Sequence, residues 1–148
     1  MSSLELNIIN IITNDFSNSI AIYLFGSFAS NQNNKNSDVD IAILLNHVDA
    51  KEAGKLSFGE LHKKLISGLN KDVDLINLRI SSTVLQKEII AKGRCIFCTN
   101  IDEKDKFEML TLSFYQILNK GRAHIIQDFA NNFKKYNANW RYHFEQNK

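Results

Sequence analysis

The spacing of apolar residues along the chain predicts helices that alternate with short strands. Apolar side chains at positions 4, 8, 9, 12 and 16 have the period of a helix with one buried face. Three short runs rich in β-branched and aromatic residues predict strands at 19–25, 38–45 and 72–78. The second run is apolar on both faces after Asp40, so we expect helices to cover both sides of the sheet.

Helical spacing returns between and after the strands. Residues 50–67 predict one helix that ends at Gly68, and a further helix is expected from Ser81 or Ser82 to Gly93. Later apolar residues keep helical spacing almost to the end of the chain, at positions 107, 110, 114, 117, 118, 125, 129, 133, 136, 140 and 144.

These elements predict an α+β, or mixed α/β, fold. A small mixed β-sheet is flanked by helices and followed by a long C-terminal helical segment. The stretch CIFCT at 95–99 adds a short edge strand. At 148 residues, the chain is expected to form one domain, with a core at 1–100 and a helical extension at 101–148 that packs on the core or on a partner.

Composition narrows the class of protein. With 44% hydrophobic and 23% charged residues, the chain is typical of a globular protein, and its longest apolar runs are far too short to cross a membrane. The N-terminus lacks the pattern of a signal peptide, so a cytoplasmic location is expected. From position 119 onward the chain has six Lys and Arg but only two Asp and Glu. This positive charge is too small to indicate a nucleic-acid substrate.

The two cysteines, Cys95 and Cys98, have the spacing of half a metal site. No second pair of cysteines or histidines lies near them in sequence, and in a regular strand their side chains would point to opposite faces. We therefore expect two buried, structural thiols.

The stretch LFGSFASNQNNKNSDVDIAILL, at 24–45, carries the chemistry. Asp38 and Asp40 are two residues apart on a predicted strand, so both carboxylates lie on one face. Like charges at that distance repel unless a cation lies between them. Mg²⁺ prefers hard oxygen ligands and commonly combines one or two carboxylates with phosphate oxygens, so this pair predicts a magnesium site.

Gly26 and Ser27 follow the first strand directly and predict a phosphate-binding turn. A glycine lets the backbone approach a phosphate, and the serine hydroxyl donates a further hydrogen bond. Taken singly, each residue favours a structural role, Ser27 as a helix cap and Asp38 in a turn that starts a strand. Together with the aspartates, the pair predicts a nucleoside triphosphate held by its phosphates and its metal.

A third carboxylate is expected to complete this site. Asp74 is the preferred candidate because an apolar run starts directly after it, as one does after Asp40, and Asp72 is the competing choice. Two Mg²⁺ ions held by three carboxylates would stabilise the attacking and leaving oxygens of a displacement at phosphorus. Asp74 could also accept the proton of an attacking hydroxyl.

The pattern GS, ten residues, DVD, and then DVDLINL resembles the minimal nucleotidyltransferases (MNT) of the DNA polymerase β superfamily, from about residue 20 to residue 97. The resemblance implies the polymerase-β-type nucleotidyltransferase fold. It also implies phosphate binding by Gly26 and Ser27, and metal binding by Asp38, Asp40 and Asp74. Many members have Arg-Gly soon after the Gly-Ser pair, where this chain has Ser-Asn; Lys35 is a candidate replacement.

The resemblance further implies a function and a partner. Many minimal members are antitoxins that transfer AMP from ATP to a tyrosine hydroxyl of a HEPN ribonuclease toxin, with which they assemble. Two alternatives remain open from the sequence. One is AMP transfer to a small hydroxylated molecule, as in the similar aminoglycoside nucleotidyltransferases, and the other is an antitoxin that acts by docking without catalysis.

Overall fold

A computed structural model describes residues 2–30 and 37–120 of the chain. Five α-helices and four β-strands are present in these residues. Their order is α1 (Ser3–Asp15), β1 (Ala21–Phe25), β2 (Val39–Leu44), α2 (His47–Ala53), α3 (Glu60–Leu69), β3 (Val73–Asn77), α4 (Thr83–Lys92), β4 (Arg94–Cys98) and α5 (Ile101–Leu118). Single 3₁₀ turns follow β1 at Gly26–Phe28 and β3 at Leu78–Ile80.

The four strands form one mixed sheet in the order β3-β2-β1-β4. Strand β1 runs antiparallel to both of its neighbours, whereas β2 and β3 are parallel. The end of β1 therefore meets the beginnings of β2 and β3 at one end of the sheet. This end holds the polar residues singled out in the sequence.

Each face of the sheet packs against a pair of helices. On one face, α1 and α3 contribute side chains such as Ile8 and Leu65 to a core with Ile41 of β2. On the other face, Ile89 of α4 and Phe107 of α5 pack on a smaller core. The alternation of side chains along β2 sends Asp40 to this second face. The expected mixed fold with helices on both sides of the sheet is confirmed.

The single helix expected at 50–67 is wrong. The structure has two helices, α2 and α3, separated by the segment 54–59. Helix α2 begins earlier than expected because the Asn46 side chain accepts a hydrogen bond from the Asp49 N–H, and it ends at Gly54, which adopts a φ of 58°. The segment between the helices crosses the open edge of β3, where the Ser57 hydroxyl donates to the Leu75 carbonyl. Helical spacing in the sequence concealed this crossing.

The helix termini agree in part with the sequence. Gly68 was expected as the C′ residue, but α3 continues to Leu69, and Asn70 adopts the left-handed conformation that ends it. The alternative cap Ser82 is confirmed, because its side chain accepts a hydrogen bond from the Leu85 N–H. Asn tolerates a positive φ better than other residues with a Cβ, which explains why a glycine was not needed.

Both cysteines are exposed, so the expectation of buried thiols is wrong. The edge strand β4 is present as expected, but its pairing with β1 shifts between Ile22 and Tyr23. This bulge sets Cys98 opposite Ala21 and Cys95 opposite Tyr23. Because Ala21 and Tyr23 share a face of β1, the two thiols lie on the same face of β4 instead of opposite faces.

The C-terminal segment is helical over the 18 residues of α5, as predicted. The basic tail and the apolar positions after 120 lie outside the described residues, as does Lys35. The division into a core at 1–100 and an extension at 101–148 stays a prediction. In the ranges 2–30 and 37–120, no helix is both long and apolar enough to cross a membrane.

Candidate active site

Three aspartates meet at the end of the sheet where β1 ends and β2 and β3 begin. Asp40 of β2 is paired with Asp74 of β3 in the parallel register and with Phe25 of β1 in the antiparallel one. Asp38 precedes β2 by one residue and shares the parity of Asp40. The register thus brings together the three carboxylates singled out in the sequence, two of them exposed and that of Asp40 partly buried.

The charged form of the central carboxylate, Asp40, is disfavoured by its surroundings. Partial burial, then the charge of Asp74, then that of Asp38 raise the pKa of Asp40 from 3.8 to about 6. Asp72, the competing candidate for the third position, is not among the carboxylates that raise this pKa. The observation favours Asp74 as the third member of the site. A carboxylate destabilised in this way gains most from a cation placed beside it.

Position 26 requires a glycine for two reasons, its backbone conformation and its close approach to Asp40. Its φ of 66° lies in the left-handed region, and a Cβ built on it would lie 2.1 Å from the Asp40 Oδ2 atom. The backbone of the turn therefore lies directly against the central carboxylate. The sequence predicts that Gly26 makes room for a phosphate, and the structure shows that it makes room for Asp40.

The Gly26–Phe28 turn that carries Ser27 is a single 3₁₀ turn, so the donors that it offers to an anion would be its backbone N–H groups and the Ser27 hydroxyl. Arg94, at the start of β4, supports this turn because its Nη2 atom donates to the Phe28 carbonyl at 3.4 Å. The same guanidinium forms an ion pair with the buried Glu5 of α1. Sequence reasoning missed Arg94 and Glu5, which no motif marks and which only the pairing of distant elements brings together.

A cleft of about 310 Å³ borders the turn on the face covered by α4. Its walls combine apolar and charged side chains from β1, the turn and α4: Phe25, Gly26, Ser30, Leu85, Glu88, Ile89 and Lys92. The volume is at the lower end of the range for small-molecule sites. Gly26 lines this cleft and also lies against Asp40, so the cleft borders the three-aspartate site at this residue.

The carboxylates of this site are typical of an open Mg²⁺ site and not of a metal site built from protein ligands alone. Within the described ranges, no three His, Cys, Asp or Glu side chains are grouped closely enough to hold a metal by themselves. Mg²⁺ usually takes only one or two carboxylates and fills its remaining positions with water and substrate phosphate. Asp38 and Asp40 would supply the two carboxylates of such a site, and the adjacent Gly26 turn is where we expect the phosphate.

Several further charged residues make structural contacts away from the aspartates. Lys64 pairs with Asp15 at 2.9 Å, and Lys63 pairs with Glu60 on the same helix. His47 lies 3.1 Å from Arg79 beyond the opposite end of β2. None of these contacts places the side chain at the three-aspartate site.

Comparison with known proteins supports the motif. Residues 7–102 match the family model described as Polymerase beta, Nucleotidyltransferase, which is more than half of the chain. The chain belongs to the polymerase β nucleotidyltransferase family. The resemblance inferred from the Gly-Ser and aspartate pattern is thereby confirmed.

Individual members of the nucleotidyltransferase family are similar over most of the chain. The protein adenylyltransferase MntA of Shewanella oneidensis is 37% identical over 128 residues, which cover 86% of this chain and 88% of the relative. A chain from the crystal structure of a toxin-antitoxin complex with AMP-PNP superposes with a TM-score of 0.64 at 35% identity, covering 85% of this chain and 98% of its own length. A chain from the tri-AMPylated S. oneidensis HEPN toxin in complex with its MNT antitoxin has a TM-score of 0.60 at 33% identity, covering 86% and 96%.

Proposed function

We propose that this nucleotidyltransferase transfers AMP from ATP to a hydroxyl of a HEPN-type toxin, a tyrosine hydroxyl in our expectation, and so acts as the antitoxin of that protein. The observation that carries the proposal is the group formed by Asp38, Asp40 and Asp74 against the Gly26 turn. The similarity to an adenylyltransferase, and to chains of complexes with AMP-PNP and with an AMPylated HEPN toxin, supports the choice of ATP and of this acceptor.

The proposed reaction is an in-line displacement at the α-phosphorus of ATP. The acceptor oxygen forms a bond to this phosphorus while the bond between the phosphorus and the oxygen bridging to the β-phosphate breaks, and pyrophosphate leaves. The acceptor proton passes to a carboxylate, for which the exposed Asp74 is the candidate. Bound Mg²⁺, in one or two ions, supplies the positive charge that offsets the triphosphate and the carboxylates.

The residues of the chain divide the substrate between them in this proposal. The backbone of Gly26 and the hydroxyl of Ser27 bind the phosphates that depart. Asp38 and Asp40 bind the Mg²⁺ that accompanies the triphosphate, and this positive charge offsets the repulsion between the two carboxylates. The cleft between the turn and α4 receives the nucleoside, because its apolar walls, Leu85 and Ile89 among them, can contact a purine face. Since ATP is a cytoplasmic substrate, we place the reaction in the cytoplasm.

Intact-mass spectrometry tests the proposal directly. The purified chain, ATP and Mg²⁺ are incubated with the HEPN-type protein encoded beside it, and the expected product is that protein with one or more AMP-sized additions. Asp38→Asn is expected to abolish the addition, whereas Asp72→Asn, the same change one residue before β3, is expected to retain it.

Three results would contradict the proposal. If the partner is neutralised with no change in mass, the chain acts by docking alone. If an aminoglycoside is modified while the partner is not, the acceptor is a small molecule. If Asp72→Asn abolishes the addition while Asp74→Asn does not, the third carboxylate has been assigned to the wrong residue.

A further inference from the structure

Phe58 is an unusually exposed aromatic residue in an unusual backbone conformation. It lies in the segment between α2 and α3, with 80% of its surface exposed. Its φ of 66° places it in the left-handed region, which a bulky side chain rarely adopts. Both features are unfavourable for folding, and strained residues of this kind are concentrated at functional sites.

A buried histidine maintains this conformation. The Phe58 N–H donates to Nδ1 of His62 at 2.8 Å, and Nε2 of the same ring donates to the Val73 carbonyl of β3 at 2.6 Å. The two bonds define the tautomer, since Nδ1 must accept and Nε2 must carry the proton. The rings of Phe58 and His62 also meet edge to face, with their centroids 5.7 Å apart. The exposed ring is therefore built on a rigid support.

The support places Phe58 at the open edge of β3, level with the backbone of Asp74, the proposed proton acceptor. The segment 57–62 bonds to the carbonyls of Val73 and Leu75, the two residues that flank Asp74 on the edge strand β3. The Gly26 turn follows β1, on the other side of β2. In an in-line displacement the acceptor approaches from the side opposite to the leaving group. With the departing phosphates at the Gly26 turn, as in the proposed function, the acceptor approaches from the β3 side of the site, which is the side of Phe58.

We propose that Phe58 is the anchor that positions the protein acceptor, with its ring inserted into an apolar pocket on the acceptor surface next to the modified hydroxyl. The inference rests on the proposed function and identifies how that site recognises its substrate. A ring that projects from the surface cannot enclose a small molecule, but it matches a pocket on a folded partner. Aromatic anchors in such pockets provide much of the binding energy of protein interfaces.

Variant kinetics test the role of the ring. Phe58→Ala and Phe58→Gly are compared with the wild type and with Val48→Ala, a control that truncates an apolar side chain of 65% exposure at the opposite end of β2. Both Phe58 variants are expected to raise the KM for the HEPN-type partner about tenfold or more, as for an interface anchor. The dissociation constant for ATP is expected to stay unchanged, and so are all constants of Val48→Ala.

Stability measurements separate recognition from folding. Phe58→Gly is expected to unfold at the same temperature as the wild type or higher, because glycine adopts the observed φ without strain. A lower unfolding temperature for this variant, together with weaker ATP binding, would show that Phe58 only supports the fold. An unchanged partner KM in both variants, while the wild type still modifies the partner, would overturn the inference and leave the proposed function intact.

A photochemical cross-link provides a second readout. Phe58 is replaced by p-benzoylphenylalanine, with the same replacement at Val48 as the control. Irradiation with the partner is expected to join position 58, and not position 48, to a partner peptide close to the modified tyrosine. Equal cross-linking from both positions, or a cross-link to co-purified RNA in place of the partner, would contradict the proposed contact.

Discussion

Replacing Asp40 by asparagine is expected to make the protein more stable and inactive at the same time. The pKa of Asp40 is raised from 3.8 to about 6 by partial burial and by the charges of Asp74 and Asp38. This difference of about 2 units corresponds to about 3 kcal/mol at 1.36 kcal/mol per unit. Because Asp40 is only partly buried, solvent screening reduces the figure to about 1–2 kcal/mol. Asparagine keeps the shape of the side chain and removes the repelled charge.

The expected gain depends on pH with a definite sign. Between pH 4 and 6 the folded protein retains a proton on Asp40 that the unfolded chain has already lost, so the wild type loses stability as pH rises through this window. The Asp40→Asn variant has no such loss. The two proteins should therefore differ little in this respect at pH 4 and differ by the full 1–2 kcal/mol at pH 8.

Urea unfolding at pH 4 and pH 8, at low ionic strength and with EDTA present, measures the difference. For a chain of this size the gain corresponds to an increase of about 3–6 °C in the unfolding temperature. Asp72→Asn is the control, and it should show no comparable gain. An Asp40→Asn variant that is no more stable than the wild type at pH 8, or equally more stable at both pH values, would refute the electrostatic reasoning. Addition of ATP and Mg²⁺ should stabilise the wild type and have little effect on the variant.

Three further outcomes follow from the contacts around the site. Gly26→Ala should lower the free energy of unfolding by about 1–2 kcal/mol because of the positive φ, and it should abolish AMP transfer because the added Cβ displaces the Asp40 carboxylate. Denaturant unfolding checks the first effect and the mass assay the second. An active variant would disprove the close contact. Glu5→Gln should lower the free energy of unfolding by about 1–3 kcal/mol, since it leaves the charge of Arg94 poorly paired. It should also raise the KM for ATP, because Arg94 supports the Gly26–Phe28 turn. An unchanged unfolding midpoint would show that the ion pair is not needed. Cys95 and Cys98 should both react with a thiol reagent in the folded protein, whereas protection until unfolding would restore the earlier expectation of buried thiols.

Periodicity alone located most of the structure. The strands, α1, α4 and α5 were predicted from apolar spacing, and the two-residue period of β2 was enough to set Asp38 and Asp40 on one face. The helix expected at 50–67 failed because apolar residues at helical spacing do not reveal a segment that leaves the helix to bond with a strand edge. The prediction that Cys95 and Cys98 point to opposite faces failed because a bulge inserts one residue into β4. The alternation of apolar and polar residues does not reveal a bulge.

The sequence by itself determined the chemical types at the site: a carboxylate pair on one strand, a Gly-Ser turn, and two candidates for a third carboxylate. Only the tertiary structure decided which of these groups interact. The parallel register places Asp74 beside Asp40, the left-handed Gly26 lies against that carboxylate, and the His62 bridge fixes Phe58 at the edge of β3. The physical reason is that distances between strands depend on pairing and register, which bring together residues far apart in the chain, whereas local spacing describes only one element at a time.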